Sequence, residues 1–296
     1  MSSVFDDTAR LDHPPYQSRR LTVAIMRISG ADATDFLQGQ FCGDVRALNA
    51  GQTLLTAWCN PKGRVLFLLR LLRDSTGSFY ALLPSAQANN FNKRLRMFVL
   101  RAKVQIEDCS QDYCVTVIDG AVTISDADLI RGIDGERHWL LVQPTRMAAA
   151  LAHAPPMLDD NNALLSDIRR GEPLLDGALA EQFLPQELNL DLLGGISFNK
   201  GCYAGQEIVA RVKFRGSVKR RAQRYSVAAA TAPAAGSRVV GADEAAHGTV
   251  LCSANSAPGL WEILAVVDLD VGEIHLLGAD RSRLNVLTLP YSTTGA

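Results

Sequence analysis

The chain has 296 residues, of which 47% are hydrophobic and 21% charged, and its formal net charge is -1. This balance describes a fold with ample core material, and the length predicts two or three domains. A near-neutral charge excludes a global attraction to nucleic acid or to a membrane surface. The most apolar short run, Val65-Leu66-Phe67-Leu68-Leu69, stops at Arg70 and is too short to span a bilayer.

Leu21 to Ile28 alternates apolar with other residues and predicts a strand ending at Ser29-Gly30. Ala31 to Gln38 has helical spacing, with Phe36 and Leu37 inward and Asp32 near its start, where negative charge suits the dipole. Thr53 to Cys59 and Val65 to Leu72 predict two strands joined as a hairpin by Asn60-Pro61-Lys62-Gly63. Phe79 to Leu83 is a further strand. Ser85 to Val99 places Phe91, Leu95 and Phe98 or Val99 at helical spacing. Val104 to Ile106, Cys114 to Ile118 and Trp139 to Val142 continue the strands, and Thr145 to Ala152 reads as helical. No βαβ unit repeats cleanly, so a mixed α+β fold with antiparallel sheets is expected.

From about Arg224 the composition changes. Tyr225 to Val227, Arg238 to Val240, Gly248 to Cys252, Ile263 to Val267, Ile274 to Leu276 and Leu284 to Leu289 are short strands between Gly, Pro, Asn and Asp. They predict a small closed or nearly closed antiparallel β-barrel. The expected domains are 1–224 and 225–296, with Ala228 to Gly236 the loosest stretch. Residues 1–12 are acidic and polar without a basic region leading into an apolar segment, so no secretory signal and a cytoplasmic location are expected.

The cysteines are Cys42, Cys59, Cys109, Cys114, Cys202 and Cys252, with no C-x-x-C pair and no histidine at finger spacing. A structural zinc site or a complete cluster ligand set within this chain is not expected, and reduced thiols are. Cys202 stands apart. It lies in Asn199-Lys200-Gly201-Cys202-Tyr203-Ala204-Gly205-Gln206-Glu207, near a lysine and ahead of a predicted helix with Ile208, Val209 and Val212 on its apolar face. A nearby ammonium and a helix N-terminus both favour the thiolate. The competing reading is an incidental thiol in a glycine turn.

Two further segments invite a function. Arg211, Lys213, Arg215, Lys219, Arg220, Arg221 and Arg224 form a basic run with no acidic residue between them. It is read either as a positive field for phosphate, RNA or an acidic partner, or as a solvated face. Gly171-Glu172-Pro173 through Leu190 crosses without a long helix, and Glu181 or Glu187 is read either as a hydrogen-bonding carboxylate for a heterocycle or as ordinary surface charge. The five histidines have no nucleophile near them in sequence, and none is assigned a catalytic role.

Ile196 to Glu207 resembles the signature of the YgfZ-type folate-binding proteins, relatives of the aminomethyltransferase (T-protein) of the glycine cleavage system. Gly30-Ala31-Asp32 with Phe36 to Gln40, Pro61-Lys62-Gly63, Gly171-Glu172-Pro173 and Arg215-Gly216 extend the likeness over most of the chain. The resemblance implies interleaved α+β subdomains around a central folate channel, with a carboxy-terminal barrel. It implies a tetrahydrofolate-dependent accessory role in maintenance or repair of iron–sulfur enzymes, including those that modify tRNA, with those enzymes or their assembly factors as partners. Cys202 is then the functional thiol, and Lys200, Gly201, Tyr203, Gln206, Glu207 and Arg211 are the residues expected at the folate.

Two departures matter. T-proteins carry paired aspartates after the glycine turn resembling Lys62-Gly63, whereas this chain has Val65-Leu66-Phe67-Leu68, so ordinary aminomethyl transfer is not expected. Relatives have a pterin-contacting glutamate just before the glycine matching Gly171, and here the residues are Arg169-Arg170. Arginine offers no acceptor, so a substitute such as Glu172 or Glu181 would be needed. The alternatives are a folate-dependent one-carbon transferase with another base, or an RNA- or partner-binding module using the 211–224 run.

Overall fold

A computed structural model describes residues 17–120, 130–151, 156–277 and 281–293. The expectations drawn from residues 1–12, and His13 and His153, lie outside them. The chain divides into two compact units: Pro15–Leu158 with Gly194–Gln206, and Asp159–Leu193 with Glu207–Ala296.

The first unit holds two antiparallel sheets. A four-stranded one runs β1-β7-β9-β8, from β1 (Gln17–Leu21), β7 (Cys114–Asp119), β8 (Ile130–Asp134) and β9 (Arg137–Val142). A five-stranded one runs β3-β4-β5-β2-β6, from β2 (Val23–Ser29), β3 (Thr53–Cys59), β4 (Val65–Arg73), β5 (Phe79–Pro84) and β6 (Gln105–Asp108). Ile25, Leu72, Tyr80 and Leu82 of the larger sheet pack on Val115, Val117, Trp139 and Leu141 of the smaller. Helices α1 (Ala33–Gln38) and α2 (Ala88–Arg96) cover the other face of the larger sheet, adding Phe36, Leu37, Phe91 and Leu95 to a core with Met26, Trp58, Phe67 and Leu69. The short α3 (Met147–Ala150) packs beyond the smaller sheet, on Ile118, Leu140 and Val142.

Strand β4 is covered on both faces, which accounts for its continuous apolar run where a half-exposed strand would alternate. Its interior cation, Arg70, is 4% exposed, bonds Asp134 at 2.7 Å and lies 4.4 Å from the Trp139 ring centroid. That pairing offsets the desolvation of the guanidinium. The predicted β3–β4 hairpin is present, pairing Thr53 with Leu72 through to Cys59 with Val65. Its turn is closed by Asn60, whose side-chain oxygen accepts from the backbone N–H of Lys62 at 2.9 Å and of Arg64 at 3.0 Å. Ser85 to Val99 resolves into a 3₁₀ turn and α2, and Thr145 to Ala152 into a 3₁₀ turn and the four residues of α3.

The second unit is built on a six-stranded antiparallel sheet in the order β14-β11-β12-β13-β10-β15. Its members are β10 (Arg220–Ala228), β11 (Arg238–Gly241), β12 (Ala246–Ala257), β13 (Leu260–Asp268), β14 (Ile274–Leu276) and β15 (Leu284–Leu287). The sheet curls until its edge strands meet at the His275–Arg283 bridge, around a core of Tyr225, Val227, Val250, Ile263 and Ala265. This is the expected barrel in half-closed form. Strand β10 begins at Arg220, so the composition change near Arg224 falls inside a strand.

Helix α4 (Asp160–Arg170), which sequence reading did not anticipate, packs on β12. Asp159 caps it by accepting from the Asn162 N–H at 2.7 Å, and Gly171 ends it in the left-handed conformation at φ 66°. Helix α5 (Gln206–Arg215) follows the Cys202 loop; of the predicted apolar face Ile208, Val209 and Val212, only Val209 is buried. Among the described residues no helix is long and apolar enough to cross a membrane.

Candidate functional site

Residues 195–205 form an irregular loop of the first unit, tied down along its length. Thr56 Oγ1 accepts from Gly43 N–H at 2.8 Å and donates to the Gly195 carbonyl at 3.0 Å. Ser197 N–H donates to the Cys42 carbonyl at 2.9 Å. Lys200 Nζ donates to the carbonyls of Phe41 and Gly43, both at 2.7 Å. The 41–43 segment is itself bound to β3, through the Phe41–Trp58 bridge and Cys42 N–H on the Ala57 carbonyl at 2.8 Å.

At the far end, Gly205 at φ 80° lies flat on the hairpin turn. A Cβ there would stand 2.5 Å from the Asn60 carbonyl oxygen and 2.7 Å from Gly63 Cα, so only glycine fits both the torsion and the contact. The strand leaving that turn begins Val65-Leu66-Phe67-Leu68, all buried. The run read above as departing from the T-protein pattern is apolar core.

Cys202 is exposed at the crest of this loop, and the other five cysteines are buried. Gly201 is exposed beside it, Lys200 is half-buried and Tyr203 is buried. Lys200 Nζ lies 5.1 Å from the Tyr203 ring centroid, a cation over an aromatic face. Burial pushes the Tyr203 phenol well above its ordinary range, and the Cys42 and Cys59 thiols add to the effect. Gln206, half-buried, opens α5 with its N–H on the Tyr203 carbonyl at 3.2 Å. Glu207 and Arg211 are exposed on α5, in the second unit. Lys200 and Tyr203 are thus gathered on one anchored loop with Cys202. Two residues that sequence reading passed over lie beneath them: Cys42 and Cys59, with Sγ atoms 3.4 Å apart.

Burial also pushes the Lys200 ammonium down to about 8, against an opposing pull from Cys42 and Asp44. A lysine in the unfolded chain keeps its proton to about 10.4. Between those values the unfolded chain holds the extra proton, so stability is fully present above the upper value and is lost as pH falls through the lower. Wild type is expected to gain stability over Lys200→Met from pH 8 to 10 in urea midpoints. Parallel curves for the two proteins would refute the lowered protonation.

The basic run is not one exposed stripe. Arg221, 2% exposed, makes a two-pronged pair with Asp191 at 2.9 Å, and Arg224 pairs with Glu262 at 2.7 Å. Arg220 faces Glu187 at 3.6 Å. The acids come from residues 187–191 and 262, remote in sequence, which is why the run reads as uncompensated. Arg211, Lys213, Arg215 and Lys219 remain exposed. The candidate pterin residues are committed as well. Arg169 clasps Glu262 at 2.8 Å, Glu172 takes Arg170 at 3.3 Å, and Glu187 also accepts from the Leu184 N–H at 2.7 Å. Glu181 is exposed at φ 66°. Among the described residues no group of three or more His, Cys, Asp and Glu converges as a metal site.

The family described as GCVT N-terminal domain matches residues 22–124. The tRNA-modifying protein YgfZ of Yersinia pestis (strain Pestoides F) is 31% identical over 298 residues, covering 91% of this chain and 90% of its own. The YgfZ of Enterobacter sp. (strain 638) is 31% identical over 297 residues, covering 91% of each. The chain belongs to the YgfZ family. Its fold is that of glycine cleavage system aminomethyltransferase T from Bartonella henselae, which it matches with a TM-score of 0.70 over 95% of this chain and 87% of that one, at 16% identity. Lys200-Gly201-Cys202-Tyr203, the segment in which the sequence resembles the family, lies on the anchored loop.

Proposed function

We propose that this protein serves tRNA modification as a tetrahydrofolate-binding accessory factor that maintains or repairs iron–sulfur enzymes, with Cys202 as its functional thiol. The observation that carries this reading is the exposure of Cys202 on a loop held at Ser197, Lys200 and Gly205. A thiol presented on a fixed backbone reaches a protein partner at little ordering cost. The apolar start of β4 favours an accessory role over aminomethyl transfer.

Folate enters from the family and the fold. The residue at the pterin position does not fit the relatives' contact, because Arg169 offers donors only and is engaged with Glu262. A folate here binds without that carboxylate.

In cells lacking their own YgfZ, Cys202→Ala is expected to fold, with unchanged circular dichroism, and to leave the dependent tRNA modification unrestored. Full restoration by the variant would remove the thiol from the function. Titration of the purified protein with tetrahydrofolate tests the ligand separately, and absence of binding discards that half of the reading.

A further inference from the structure

Cys42 and Cys59 take no part in the reading above. Both are fully enclosed, at 0% and 1% exposure, yet their sulfurs are 3.4 Å apart, within thiol hydrogen-bond range. Cys42 sits in the short segment bridged to β3. Cys59 ends β3 at the point where the ladder with β4 slips register, between Trp58 and Cys59. A register irregularity locally disrupts the ladder and bends the strand, and a disulfide needs the gap closed to about 2 Å.

The backbone around Cys42 is also what the Cys202 loop hangs from. Its own carbonyl accepts from Ser197, and the carbonyls on either side accept from Lys200. Movement of residues 41–43 therefore acts on two of the anchors of that loop at once. The two sulfurs also help to raise the Tyr203 phenol, and Cys42 opposes the lowering of the Lys200 ammonium.

We propose that Cys42 and Cys59 are a redox-active dithiol that a small hydroperoxide closes to an intrachain disulfide, loosening the Lys200 anchor and raising the reactivity of Cys202. The contact with Cys42 and burial push the Cys59 thiol up, so the Cys42 sulfur is the one that attacks as thiolate; the O–O bond of the peroxide breaks, and a sulfenic acid forms with release of hydroxide. The second sulfur then displaces hydroxide from the sulfenic sulfur, forming the S–S bond. Two electrons pass from the sulfurs to the peroxide, and the thiol protons leave on its two oxygens. Enclosure excludes bulky disulfide oxidants, and a small peroxide reaches the pair only when the surrounding backbone opens.

The full chain, treated with graded hydrogen peroxide, is alkylated in denaturant and mapped by mass spectrometry, with Cys202→Ser run alongside. The expected result is a Cys42–Cys59 linked peptide in both proteins, loss of two alkylatable thiols, and recovery with dithiothreitol. In the oxidised wild type, alkylation of Cys202 without denaturant is expected to quicken several-fold. A Cys59→Ala variant should lose that peroxide response; the mapping of wild type stands whether or not this variant folds. The proposal is overturned if Cys42 and Cys59 are both recovered alkylated at doses that oxidise Cys202, or if their disulfide forms and the Cys202 rate does not change.

Discussion

Replacing Glu262 with alanine is expected to lower stability by about 3–5 kcal/mol, the usual result of stripping one partner from a buried ion pair. Its carboxylate, 7% exposed, takes Arg224 at 2.7 Å and Arg169 at 2.8 Å. Arg224 is 8% exposed and would be left as a charge without water or its acid, although it keeps a bond to the Thr288 carbonyl. Arg169, at 22% exposure, can turn partly to solvent. The fall in thermal midpoint should be on the order of 10 °C, read by circular dichroism or calorimetry. A midpoint within a degree or two of wild type would show that the arginines find other partners. The same geometry affects how folate binding can be tested. Arg169→Glu, which places a carboxylate at the position read as the pterin contact, sets it against Glu262 and should destabilise the protein, so loss of a ligand in that variant alone is uninformative. Pairing it with Glu262→Gln removes the repulsion.

Gly205→Ala should act mainly on the site. A left-handed torsion and contacts with the backbone of Asn60 and Gly63 cannot be relieved by turning a side chain. The strain is worth roughly 1–3 kcal/mol. The loop is exposed on one side, so it can lift from the turn more cheaply than the hairpin can unfold. The expected outcome is a modest loss of global stability with a large rise in hydrogen exchange across residues 196–206 and no rise in β3 or β4. Uniform protection changes throughout the first unit would show that turn and loop yield together.

Most of this architecture was legible where the local code is strong. The Asn60–Gly63 turn, the paired strands around it, the carboxy-terminal strands and the loop before α5 all carry period-two patterns or turn residues that act over a few positions. Helix α4 was equally legible, since Asp159, Asn162, Arg169-Arg170 and Gly171 are its cap, first turn, last turn and stop. Arg169 and Arg170 are at once the basic last turn of this helix and the residues at the expected pterin contact. Strand β8 was not, because Ile130–Asp134 is short and includes a glycine. Arg221 with Asp191, Arg224 with Glu262, and Cys42 with Cys59 lie beyond sequence reading in kind, since each depends on how remote segments meet. For that reason the basic run read as a surface field when part of it is interior wiring.

The path of the chain between its units has a consequence for biosynthesis. The first unit's strands all precede residue 158, yet the segment bearing Lys200, Cys202 and Gly205 returns to it only after Asp159–Leu193 has gone to the other unit. A nascent chain therefore exposes the Asn60 turn and the carbonyls of Phe41 and Gly43 long before their partners leave the ribosome. At roughly 5–20 residues per second the interval is on the order of ten seconds. Stalling or truncation near residue 158 would leave that docking strip bare, a target for chaperones and proteases.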